Sequence, residues 1–70
     1  MIRVSEQDFV RFINQYRRTF GEVKPEIDMT ADPPIVTYID IKTGKVIGRY
    51  PEVSLGQGTT YKDAYFEIIE

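Results

Sequence analysis

The chain has 70 residues, nine basic and eleven acidic for a net charge of −2, and it contains no cysteine, histidine or tryptophan. That balance gives no electrostatic case for a nucleic-acid or membrane partner. The missing cysteines and histidines exclude disulfide staples and the usual transition-metal ligands. One domain is expected over residues 1–70, and the 41% apolar content argues for a packed core rather than disorder. No apolar run approaches the ~18 residues of a membrane span. Met1 to Glu6 lacks the apolar stretch of a signal peptide, so a cytoplasmic location is expected.

The first predicted element is a helix from Glu6 to Phe20. Ser5 is a good N-cap, with Asp8 three residues on, and Val4 and Phe9 have the spacing of a hydrophobic staple. Phe9, Phe12, Ile13, Tyr16 and Phe20 recur at three- and four-residue steps, which places them on one face. Glu6 and Asp8 suit the N-terminal end of the helix dipole and Arg17 and Arg18 the C-terminal end, and Gly21 is a left-handed stop. Met1 to Val4 reads as a short strand or extended lead-in. Glu22 to Pro34 reads as a connection, because Pro25, Pro33 and Pro34 oppose a helix or a central strand. At most a brief edge strand is expected, around Ile27 to Met29.

A hairpin is predicted from Ile35 to Tyr50. Asp40-Ile41-Lys42-Thr43-Gly44-Lys45 has the chemistry of a four-residue loop on a type I turn, with Gly44 at positive φ and Asp40 accepting turn amides. Pairing Asp40 with Lys45 sets Ile39 opposite Val46, Thr37 opposite Gly48 and Ile35 opposite Tyr50. The other face then pairs Tyr38 with Ile47 and Val36 with Arg49. Both faces carry apolar or aromatic side chains, whereas a small sheet needs only one buried face. Ile35, Ile39 and Val46 are expected to meet the helix.

Pro51 ends the second hairpin strand, and Glu52 to Thr60 is a glycine-bearing loop. The tail from Tyr61 to Glu70 is open to two readings: Thr60 and Asp63 have the spacing of a helix cap, whereas Ala64, Phe66 and Ile68 alternate with Asp63, Tyr65 and Glu67, which favours a third strand. The expected fold is therefore α+β: one N-terminal helix packed on an antiparallel sheet of three to four strands. Its expected core is Phe9, Phe12, Ile13, Tyr16, Phe20, Ile35, Ile39, Val46, Phe66 and Ile68.

Val36, Tyr38 and Ile47, with Tyr61, Tyr65 and Ile69, form the expected protein-binding patch, because tyrosine combines large apolar area with one polar tip. Arg11 and Arg18, two helical turns apart, are the candidates for phosphate contact, against the simpler role of solvating the helix. Leu55 to Lys62 lacks the spacing of a phosphate-binding loop. Asp28 with Asp32, or Asp63 with Glu67, is an imaginable acid pair. Glu26, Asp28 and Asp32 do not follow a calcium-loop pattern. No cofactor, metal or small-molecule substrate is expected.

These readings favour a non-catalytic protein-interaction module: a small regulator or inhibitor that docks on a larger partner or on a second copy of itself. A nucleic-acid-associated regulator using the helix arginines is the alternative. The profile is common among small phage and mobile-element proteins. Separately, residues 40–52, Asp-Ile-Lys-Thr-Gly-Lys-Val-Ile-Gly-Arg-Tyr-Pro-Glu, resemble the Asp-x-x-Thr-Gly-x-Val-Ile-x-x-x-Pro hairpin of FlaG flagellar accessory proteins. The resemblance covers thirteen of the seventy residues and implies a flagellar accessory role.

Overall fold

A computed structural model describes residues 1–55 and 65–69. Its elements are β1 (Ile2–Val4), α1 (Glu6–Phe20), β2 (Val23–Asp28), β3 (Ile35–Asp40), β4 (Val46–Pro51), a single 3-10 turn at Glu52–Ser54 and β5 (Phe66–Ile68). The strands form one sheet in the order β1-β5-β4-β3-β2, each neighbouring pair antiparallel. The architecture is α+β with one N-terminal helix, as the sequence predicts, but the sheet has five strands.

The helix begins and ends where its caps place it. The Ser5 Oγ accepts the Asp8 N–H at 3.1 Å, and Gly21, at φ 118°, donates its N–H to the Arg17 carbonyl. The additional full strand is β2. Pro25 is tolerated there because β2 lies at the sheet edge, opposite Tyr38. The Ile41 N–H donates to the Glu22 carbonyl, so the alternating ladder leaves the Pro25 nitrogen facing away from β3, where no donor is required.

The turn between β3 and β4 forms as expected. The Asp40 N–H donates to Lys45 O, the Gly44 N–H donates to Asp40 O, and Gly44 takes φ 76°. The Asp40 carboxylate accepts the amides of Lys42 and Thr43, and the Thr43 hydroxyl accepts the Lys45 amide. Each fixed residue of the Asp-x-x-Thr-Gly string thus has a local role in the turn.

Beyond Ile39 opposite Val46, the register departs from expectation. Tyr38 lies opposite Gly48, Thr37 opposite Arg49 and Val36 opposite Tyr50, so Ile47 is the extra residue of a β-bulge. The bulge carries Gly48 and Tyr50 onto the side of Val36 and Tyr38, and Arg49 onto the side of Ile35, Thr37 and Ile39.

The core lies between α1 and that first side: Phe9, Ile13, Val23, Val36, Ile47, Tyr50 and Phe66 are buried, with Val4, Phe12, Tyr16, Tyr38 and Ile68 packed around them. Phe9 is its centre. Its ring meets Tyr38, Tyr50 and Phe66 at centroid distances of 5.8, 5.5 and 5.5 Å, the two tyrosines edge-on. It reaches the sheet because Gly48 has no side chain: a Cβ there would stand 2.7 Å from the Phe9 ring. Phe12, Tyr16 and Phe20 instead stack on one another along the flank of the helix, and Phe20 is 59% exposed, contrary to its expected place in the core. The helix presents its Phe9–Ile13 line to the sheet, which turns the Phe12–Tyr16–Phe20 line aside.

Candidate functional site

The helix covers the side expected to be free. Val36 is 5% exposed and Ile47 1%, and Tyr38 packs edge-on against Phe9, so these three residues hold the fold together. The reason is volume. The tyrosines and Phe66 enclose the Phe9 ring, and Asp40 on the same side accepts the Tyr16 hydroxyl proton at 2.7 Å, fastening the end of the helix to the turn. Ile35, Ile39 and Val46, expected beneath the helix, are half-buried on the opposite side. Tyr65 also lies on that side; Tyr61 falls outside the described residues.

The helix-free side is organised in rows that cross the strands. The central row runs Arg3, Glu67, Arg49, Thr37, Glu26, fixed by the four strand pairings. Lys24, Ile39 and Val46 form the row on one side of it, and Asp28, Ile35 and the buried Pro51 the row on the other. Arg3 crosses toward this second row and stacks over the Tyr65 ring, 4.3 Å from its centroid. Over β3 and β4 the half-buried side chains of Ile39 and Val46 therefore lie on one side of the charged row and Ile35 on the other, with Lys24 and Asp28 ending those rows on β2. Among the described residues no second layer packs upon it.

Within the central row, the Glu67 carboxylate receives the Arg49 Nε–H at 3.0 Å and the Arg3 Nε–H at 3.4 Å from opposite sides. The Glu67 side chain is 8% exposed, the Arg3 side chain 68% and the Arg49 side chain 41%. The acid is sunk and both guanidinium forks stand above it. Glu67 was legible only as half of an acid pair with Asp63, which lies outside the described residues. The sequence signal for its true partners was alternation: Glu67 sits between Phe66 and Ile68, and Arg49 between Gly48 and Tyr50.

The remaining candidates are accounted for locally. Arg11 is exposed and pairs with Asp8 at 3.5 Å, and Arg18 is exposed seven residues further along α1. The Asp28 carboxylate accepts the Thr30 amide at 2.9 Å and the Thr30 hydroxyl at 2.6 Å, and these bonds hold its pKa below the ordinary 3.8. No group of three acidic residues among the described residues converges on a metal-sized site. No helix among them is long and apolar enough to cross a membrane.

A cavity of about 160 Å³ opens between α1 and the sheet, walled by Phe9, Ile13, Phe66 and Leu55 and reaching the Tyr38 and Tyr50 rings. Burial, and then the neighbouring Tyr38, push the Tyr50 phenol up to about 12, so it is a neutral hydrogen-bonding group. Beside the Tyr16 hydroxyl the Asp40 carboxyl titrates below its ordinary value, and the Tyr16 phenol above its own. The Tyr50 shift follows from its burial, and the Tyr16 and Asp40 shifts from the hydrogen bond between them.

Comparison with known proteins found no matching family model, no matching curated protein and no matching solved structure.

Proposed function

We propose that the chain is a non-catalytic protein-interaction module whose docking surface is the helix-free face of the sheet. The observation that carries this reading is the half-burial of Ile35, Ile39 and Val46 on a face with no second layer among the described residues. These β-branched side chains form apolar surface on both sides of the charged row, and apolar surface on a small protein marks contact with a partner. The flat, twisted face suits the sheet or extended segment of another protein, which would pack upon it at about 10 Å.

The test is Ile39→Arg, set beside Gln15→Arg on the exposed flank of α1. A site-specific photocrosslinker at position 37 marks whatever protein touches the face. The expected result is one crosslinked species in the parent and in Gln15→Arg, lost in Ile39→Arg while the circular dichroism spectrum is unchanged. Light scattering assigns that species as a second copy if the mass doubles with concentration. Equal crosslinking in the parent and Ile39→Arg would overturn the reading.

A further inference from the structure

We propose that Arg3, Glu67 and Arg49 form a carboxylate-receiving centre in the middle of the helix-free face. Its occupant is an extended segment of the partner protein that carries apolar, acidic and apolar side chains at alternate positions. The inference rests on the docking reading above and deepens it.

The geometry is that of a prepared clamp. Each arginine has five N–H donors in a fixed fork. Here Nε of each is committed to Glu67, which fixes both side chains and leaves the Nη groups at the rim. Among the described residues these Nη groups have one recorded contact, Arg49 Nη2 to the Met1 Sδ at 3.8 Å, and a thioether is a weak acceptor. Arg3 is held a second time by the Tyr65 ring. Ordering long side chains before a ligand arrives removes much of the entropic cost of binding.

Charge selects the ligand. Two guanidinium groups and one carboxylate leave a single positive charge above Glu67. One carboxylate neutralises it, whereas a phosphate dianion would overcompensate it. Lys24, in the row of Ile39 and Val46, is paired with Glu26 at 3.2 Å, and the row of Ile35 and Pro51 ends in Asp28. Among the described residues neither flanking row thus offers the unpaired cations that a phosphate backbone needs, and the whole chain is at −2. The spacing selects the sequence. The three rows are two residues apart along the strands, roughly 7 Å. An extended segment with Ile, Glu and Ile at alternate positions repeats that spacing when two sheets align.

The test uses the full chain, labelled with ¹⁵N, and two capped peptides, Ac-Ile-Thr-Glu-Thr-Ile-NH₂ and its Gln counterpart. Titrations follow the backbone amides of β3 and β4 and the arginine Nε–H resonances. The expected result is saturable binding of the Glu peptide that moves the Arg3 and Arg49 Nε–H signals together, with the Gln peptide weaker by about tenfold. Arg3→Gln and Arg49→Gln, each shown folded by its amide spectrum, are expected to remove that preference. Equal binding of the two peptides, binding of neither, or saturation of the arginine signals by inorganic phosphate at lower concentration than by the Glu peptide would each overturn the proposal. The Ile39→Arg crosslinking experiment is independent of these results, so failure of the clamp and failure of the docking face are separately visible.

Discussion

On the helix-covered side of the sheet, Phe9, Tyr38, Tyr50 and Phe66 bury one another as rings, with Gly48 opening the space for them. On the other side, β-branched residues stay half-buried and the deepest side chain of the central row is a charged one, Glu67, between two arginines. The first side therefore rests on apolar area and close packing, which carry most folding energy. The second rests on a hydrogen-bonded charge row that contributes less to folding and leaves the Arg3 and Arg49 side chains partly exposed. In a chain of 70 residues, with little stability to spare, the difference separates the face that holds the fold from the face that we propose docks a partner.

Substitutions can break this contrast, and Phe9→Ala is the severest. It removes the ring at the centre of the cluster and is expected to cost about 3–5 kcal/mol in urea unfolding; a loss below 1 kcal/mol would place the core elsewhere. Phe12→Ala, the equivalent change on the half-buried flank of α1, is expected to cost less than Phe9→Ala in the same assay. Glu67→Ala leaves two arginines without their shared acceptor and is expected to cost about 1.5–3 kcal/mol, most clearly as faster hydrogen exchange in β1 and β5.

Gly48→Ala sharpens the comparison from the crowded side. The new methyl meets Phe9, and forced overpacking typically costs about 1–3 kcal/mol. Combining it with Phe9→Leu should recover part of that loss, a coupling that a double-mutant cycle measures directly. A control on the open side, Ile39→Thr, is expected to change stability by less than about 1 kcal/mol.

Smaller effects are expected from pH, with Asp40 and Tyr50 on the helix-covered side contributing one to each limb. The folded pKa of Asp40 lies below its ordinary 3.8, so its contribution is complete above that value and is lost as pH falls through the folded one; Asp28 adds to the same limb. The Tyr50 phenol is raised from 10.0 to about 12, so its contribution is complete below pH 10 and is lost as pH rises toward 12. Denaturation at stepped pH should show both limbs, with Asp40→Asn flattening the acid one and Tyr50→Phe the alkaline one. An unchanged alkaline limb in Tyr50→Phe would remove that phenol from the account.

Local chemistry was legible wherever neighbours in sequence are also neighbours in space. Ser5, Asp8 and Gly21 bound the helix because a cap acts within one turn of chain. The Asp40–Lys45 turn followed from Asp40, Thr43 and Gly44 for the same reason. The choice of buried face was not legible, because alternation specifies two faces without saying which meets the helix. The aliphatic Ile35–Ile39–Val46 side was the natural expectation, yet the tyrosine side supplies the larger buried area and the partner for Tyr16. A glycine inside a strand marks a bulge or a close approach, and Gly48 was the one local hint of both.

By itself, then, the sequence determined one helix of fixed length, a hairpin with a fixed turn, a hairpin apolar on both faces, and the absence of cysteine and histidine chemistry. These follow from capping, turn geometry, period and composition, all short-range or additive. Only the tertiary structure decided that β1 closes on β5, that Ile47 bulges, that Tyr38 goes inward and Ile39 outward, and that Glu67 lies between Arg3 and Arg49. Arg3 and Glu67 are 64 residues apart in the chain. Their meeting depends on strand order and register, which are settled by how every side chain packs at once rather than by any one segment.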